Sequence, residues 1–214
     1  MTRKIAGPHR GASFTFAART DRPDFGPRTM RGAAPAKTAL PGRLHRALRA
    51  ATRSDHVAVD GLVLRLDLRS REDYGRFLRA QQAAVQSLEA DWREEDRQDF
   101  SALLRCARED LKSLKTSVIP LHSSSRAPLP ASQRLGVAYV IRSSRLGASL
   151  LRHRVPALLP SSYLDFEPTL SWPQFLLHLD PLAEDADRAS SYEVIRGARL
   201  GFELFASLLT QALA

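Results

Sequence analysis

The sequence predicts an all-α protein, a single helical domain of about six or more helices preceded by a disordered basic tail. Three observations predict it. From Pro41-Gly42 onward apolar residues recur at three- and four-residue spacing, and no segment alternates with period two over strand length. Glycine is scarce, 11 residues in 214, and Ser/Pro-rich breaks separate the periodic runs. Residues 1–42 are rich in Gly, Pro, Arg and Ala with no sustained period, which is the composition of a segment that cannot bury enough apolar surface to order itself. The expected division is therefore a tail over 1–42 and one helical domain over 43–214, a length sufficient for one core.

The elements follow in order. Leu44, Leu48, Ala51, Asp55 and Val59 form one row of a first helix, and Leu48, Thr52 and His56 form the neighbouring row. Ser70 followed by Glu72 and Asp73 reads as an N-cap with an acidic first turn, opening a second helix through Tyr74, Phe77, Leu78, Ala84, Val85 and Leu88 to about Trp92. A third runs from about Glu94 to Leu114 on Phe100, Leu103, Leu104, Ala107 and Leu111. Residues 115–131, with Pro120, Ser123 to Ser125, Pro128 and Pro130, read as a loop. Ser132 is then expected to cap a helix that stops before Pro156, a short helix starts near Trp172-Pro173, and Ser190 or Ser191 caps a last helix to Leu213.

Charge and composition narrow the function. The chain is +9 overall, but residues 1–43 carry +7 of it and the remainder only +2. A near-neutral folded part without interleaved basic and aromatic residues does not suit a phosphate backbone, so no nucleic-acid partner is expected. The single cysteine, Cys106, rules out a disulfide framework; it lies in the apolar row of the third helix and reads as a packed small residue, and cytoplasmic placement is the natural reading. The stretch Ala12 to Ala18 is too short for a membrane span, although the Arg-rich start also matches a transit peptide in composition and Met30 offers an alternative start. No GxGxxG, GxxxxGK[ST], GxSxG or HExxH string occurs, which removes the usual support for nucleotide, serine-hydrolase and zinc-protease readings.

Of the six histidines, His9 falls in the tail, His45 just inside the first helix, His122 in the Ser/Pro loop, and His153 and His178 near helix ends. His56 differs, because its row with Leu48 and Thr52 places it on the face expected to meet the core. It is either a core-edge histidine satisfied by a hydrogen bond or a ligand. Small residues also recur one turn apart at Ser143/Gly147 and Ser144/Ala148, a stripe that admits either a flat molecule or a tightly packed helix.

The string Leu48-Arg49-Ala50-Ala51-Thr52-Arg53-Ser54-Asp55-His56-Val57-Ala58-Val59-Asp60 resembles the first helix of bacterial biliverdin-producing heme oxygenases, LRxATxxxHxxxD. Tyr74-Gly75-Arg76-Phe77-Leu78 resembles that family's YxxFL, and the Tyr139 to Ala148 segment its distal-helix motif YVLEGSxLGG. The resemblance implies a heme oxygenase-like fold and the oxidative cleavage of heme, substrate and cofactor at once, to biliverdin with release of carbon monoxide and ferrous iron. It implies His56 as the iron ligand, Ser144 and Gly147 as catalytic positions, and Thr52, Arg49, Tyr139, Ser143, Ala148, Arg196 and Arg199 as heme-binding positions, the arginines facing the propionates. Its implied partners are an electron-donor protein, a reductase or ferredoxin, and a bilin-accepting photoreceptor. Arg142-Ser143-Ser144 stands where the family has Glu-Gly-Ser, and Gly147-Ala148 where it has Gly-Gly. These departures leave a second reading, a catalytically degenerate protein of the same fold that binds a tetrapyrrole or a protein partner. A thiamin-degrading relative would need its cysteine in a cleft, which the core-like row of Cys106 does not favour.

Overall fold

The computed structural model describes residues 42–116, 127–179 and 188–214. Among these are eight α-helices and no strand. They are α1 Arg43–Ala51, α2 Arg53–Leu64, α3 Arg71–Ser87, α4 Glu94–Ser113, α5 Ala131–Arg152, α6 Ser162–Asp165, α7 Trp172–Leu179 and α8 Arg188–Leu213. The expectations placed on residues 1–41, and on Pro120, His122 and the serines beside it, lie outside the described residues.

The first expected helix is two. The ladder stops at Thr52, which sits at φ −108°, ψ 11°, outside helical geometry. Both its backbone N–H and its hydroxyl donate to the Leu48 carbonyl, at 2.9 and 2.8 Å. A threonine that bonds back one turn in this way bends a helix. Ser70 caps α3 as expected, its hydroxyl accepting from the Asp73 N–H at 3.4 Å. That helix ends at Ser87 and a 3₁₀ turn, Glu89–Asp91, carries the chain to Trp92. Two expected caps are corrected. Pro130 stands in the cap position of α5, so Ser132 is already inside the first turn, and α8 begins at Arg188, before Ser190. At α5 a residue that cannot be read as a cap from its type supplies the start.

The core is organised around α5 and α8, the most extensively packed pair, with α3 lying against α8 and α4, and α2 against α8. Two glycines set that pair. A Cβ on Gly136 would lie 2.0 Å from the Val194 carbonyl oxygen, and one on Gly197 would lie 1.9 Å from the Gln133 carbonyl oxygen. The two backbones meet there, and no side chain fits between them. The large fully buried side chains include Tyr74, Tyr163, Phe175, Leu48 and Leu208, each worth about 1.5–3 kcal/mol of apolar burial in the case of leucine.

Acidic residues of the α4 region hold the connections. Asp110 accepts from the Ser162 and Tyr163 N–H groups at 3.1 and 2.8 Å and so starts the four-residue α6. Asp99 accepts from the Thr169 N–H and hydroxyl at 2.9 and 2.8 Å, and Asp91 accepts from the Leu129 N–H at 2.7 Å. All three carboxylates are buried, where an unpaired charge would be expensive.

Candidate functional site

α2 lies on the core through Asp55, Val59, Leu62 and Val63, and only Val63 is fully buried. The residue after Asp55 is turned about 100° away from that contact. His56 is therefore on the rim and not in the core, with 57% of its side chain exposed, which corrects the core-facing placement expected from its row. The break at Thr52 is the reason, because the row that runs through Leu48 and Thr52 does not continue straight into α2.

At the rim His56 is oriented from two sides. Its Nδ1 lies 3.0 Å from the Asp60 carboxylate one turn later. Its ring meets Phe202 of α8 edge-on, with centroids 5.7 Å apart. The Asp60 hydrogen bond raises the imidazole pKa, opposed by partial burial and by the positive charge of Arg49. The charged pair adds stability below the ordinary histidine value and loses it as pH rises through the raised one, an effect kept small by exposure. With Nδ1–H committed to a carboxylate, Nε2 is the free lone pair, and it has no partner among the described residues.

Adjacent residues of α8 relate this rim to α5. Phe202 touches His56, while a Cβ at its neighbour Gly201 would meet Val140 of α5 at 3.3 Å. His56 and the Val140 turn of α5 thus flank the same turn of α8. One turn beyond Val140, α5 comes out of the core. Ser143 and Gly147 are half-buried and Leu146 and Leu150 are about half exposed. Nothing lies within 4 Å of a Cβ built on Gly147. The small-residue stripe is therefore not a helix-packing surface at Gly147. Ala148 is a different case: it is buried in the core, so it offers no face to a ligand. The Ser143 and Ser144 hydroxyls donate to the carbonyls of Val140 and Ile141, at 3.0 and 2.7 Å.

The remaining expected positions divide as follows. Thr52 is buried and its hydroxyl is spent on Leu48, so it shapes the helix break and does not reach a ligand. Tyr139 is buried against His45 and Trp172, with centroids 5.9 and 5.4 Å away, and burial pushes its phenol up to about 12. It too lies in the core. Arg196 pairs with Glu193 at 3.0 Å. Arg199 donates to the Ala51 carbonyl at 3.2 Å and stands 3.9 Å from Asp55. Arg49 is exposed at the end of α1, close enough to act on His56, with no ion-pair partner among the described residues.

Reading the sequence noted Arg142 only as standing where the family has an acid, and missed its structural role. It is 3% exposed and ion-pairs with Asp96 at 2.6 Å and Asp99 at 3.1 Å. A further bond runs to the Leu170 carbonyl at 3.1 Å, and the guanidinium lies between the Phe100 and Phe175 rings at 5.5 and 5.4 Å. Leu146 and Leu150 were also missed as part of the open face, since their type predicts burial. Cys106 is half-buried with its thiol pKa raised by burial, the environment of an unreactive cysteine.

No protein family's sequence profile matches the chain, and no curated protein does. The shape does find a counterpart, the NO- and CO-bound heme oxygenase of Neisseria meningitidis, at a TM-score of 0.57 and 22% identity over 79% of this chain and 91% of that one. The fold is that of a heme oxygenase.

The described residues thus offer an oriented imidazole on the α2 rim and, on α5, an apolar, partly open helix face. Among the described residues no group of three His, Cys, Asp or Glu side chains is placed to hold a bare metal ion. A single free nitrogen suits a metal that arrives already coordinated. No described helix is long and apolar enough to cross a membrane.

Proposed function

We propose that the chain binds heme with His56 as the axial ligand and cleaves it oxidatively to biliverdin, carbon monoxide and ferrous iron, drawing electrons from a separate reductase or ferredoxin. The observation that carries this reading is the orientation of His56. Asp60 holds Nδ1, Phe202 packs against the ring, and Nε2 has no protein partner among the described residues. A carboxylate on the far nitrogen fixes the tautomer and strengthens the donor, as metal-bound histidines commonly require. The open Gly147 position and the exposed Leu146 and Leu150, farther along α5 than the Val140 contact, suit a flat apolar body.

Bound heme would supply both the iron at which oxygen is reduced and the macrocycle that is oxidised. The chain's own residues would hold and confine it. Of the three expected arginines, Arg49 is the one left for a propionate, since Arg196 and Arg199 already have partners. Leu146 and Leu150 would exclude bulk water, and the Ser143 and Ser144 oxygens, still able to accept, would order the water that remains.

The test is a titration with ferric heme followed by reductant and oxygen. The native protein should take up one heme with a histidine-ligated spectrum and then form biliverdin, and His56→Ala should lose the histidine signature while keeping its helical content. Identical spectra with and without His56 would remove the assignment. A side chain at Ser143 favours the second reading, a tetrapyrrole binder without turnover, because it narrows the face beside Gly147. Heme uptake without biliverdin under any reductant would establish that reading instead.

A further inference from the structure

The break between α1 and α2 is where the direction of the His56 helix is set, and something outside both helices must hold it. The last carbonyls of a helix have no partner within it. At the end of α1 Thr52 takes the Leu48 carbonyl twice over, by its N–H and its hydroxyl. The Ala51 carbonyl is met from another element, by the Arg199 guanidinium of α8 at 3.2 Å. The same guanidinium stands 3.9 Å from Asp55 on the first turn of α2. The Asp55 oxygen nearest to it is buried and accepts no hydrogen bond, so this guanidinium is the cation that faces it. One side chain thus spans the end of α1 and the start of α2. Three residues along α8, on the same helix face, Phe202 bears on His56.

We infer that Arg199 is a positioning residue: it clamps the α1–α2 break to α8 and so fixes the His56 imidazole against Phe202. This rests on the reading of His56 as the heme ligand, and it removes Arg199 from the expected set of propionate partners. Asp60 sits on the same helix as His56 and moves with it, so it orients the ring about its own bonds. Arg199 orients the helix. The two controls are independent, and each can be lost alone.

The experiment needs no heme for its first readout. In the heme-free protein, the Phe202 ring current should displace the His56 ring protons from unstructured-histidine values. Proton NMR should show that displacement lost in Arg199→Met, which keeps the stem and removes both contacts, and retained in Arg199→Lys, whose ammonium can still reach the Ala51 carbonyl. Circular dichroism should be unchanged in both, since the residue is half exposed. Where heme binds, its affinity should fall about 10-fold in the Met variant, the low end for loss of an outer-shell partner. Native His56 shifts in Arg199→Met would overturn the inference, including the case in which heme affinity falls, because that pattern belongs to a propionate partner. Lost displacement in a protein that never takes up heme would uphold the clamp and refute the heme reading.

Discussion

The same substitution, glycine to alanine, should have opposite effects at two places in the molecule. At Gly197 the new Cβ would lie 1.9 Å from the Gln133 carbonyl oxygen and 2.6 Å from its carbon, all backbone atoms of the facing helix. Ordinary contact needs well over 3 Å, so α5 and α8 must separate by more than an ångström along their closest approach. Overpacking of a core costs about 1–3 kcal/mol and more where backbone must move. The gain in helix propensity, about 0.5–1 kcal/mol, offsets only part of it. The expected net loss is about 2 kcal/mol, or about 4–8 °C in melting temperature for a chain of this size. At Gly147 the new Cβ meets nothing within 4 Å, so the propensity gain stands alone and Gly147→Ala should stabilise the heme-free protein by about 0.5–1 kcal/mol. The added methyl projects from the face proposed for heme, so heme affinity should fall as stability rises. Thermal melts of both variants, with heme titrations of the second, decide the matter. Destabilisation by Gly147→Ala would show that this position is packed, and the open-face argument would fail with it.

Two further outcomes follow from side chains described above. Binding through Nε2 requires the neutral imidazole, and Asp60 raises the His56 pKa, so heme affinity measured against pH should rise through that raised value; in Asp60→Asn the midpoint should move lower and the plateau affinity should drop. An unmoved midpoint would separate Asp60 from His56. Arg142→Met leaves buried Asp99 without a cation and Asp96 with Arg93 alone, and urea denaturation should show a loss of about 3–5 kcal/mol, whereas a change within experimental scatter would mean that Arg93 and water suffice for both carboxylates.

Helical periodicity carried the all-α class, the start of α3 and the extent of α4, because those helices bury one continuous apolar row, whereas the 3₁₀ turn that ends α3 early was not legible. The Thr52 break was not legible: threonine is tolerated in helices, and only its hydroxyl's choice of the Leu48 carbonyl reveals the bend. The string around His56 carried the expectation of a ligand, and the core-facing environment read from its row was wrong. A histidine ligand to a large partner must be reachable, and one aligned with a core row would be covered by its own protein. Tyr139 and Ala148 show the opposite limit, since a motif lists neighbours along a helix without saying that half of them face inward. Arg142 was illegible because its partners come from α4, 43 and 46 residues away, and from Leu170, 28 residues away.

The carboxylates that tether the connections to α4 also decide how those connections breathe. Leu129, Ser162, Tyr163 and Thr169 lie at or beyond helix ends, where amides ordinarily exchange with solvent through small local openings. Here each N–H is donated to an aspartate on or beside α4. Releasing one means either stranding a buried carboxylate or withdrawing α4 itself. The exchange clock of these amides should therefore be set by α4, a core helix, and not by the segments that carry them. In deuterium-exchange terms the segments from 127 to 130 and 161 to 169 and the helix from 94 to 113 should behave as one cooperative unit, although they are far apart in the chain.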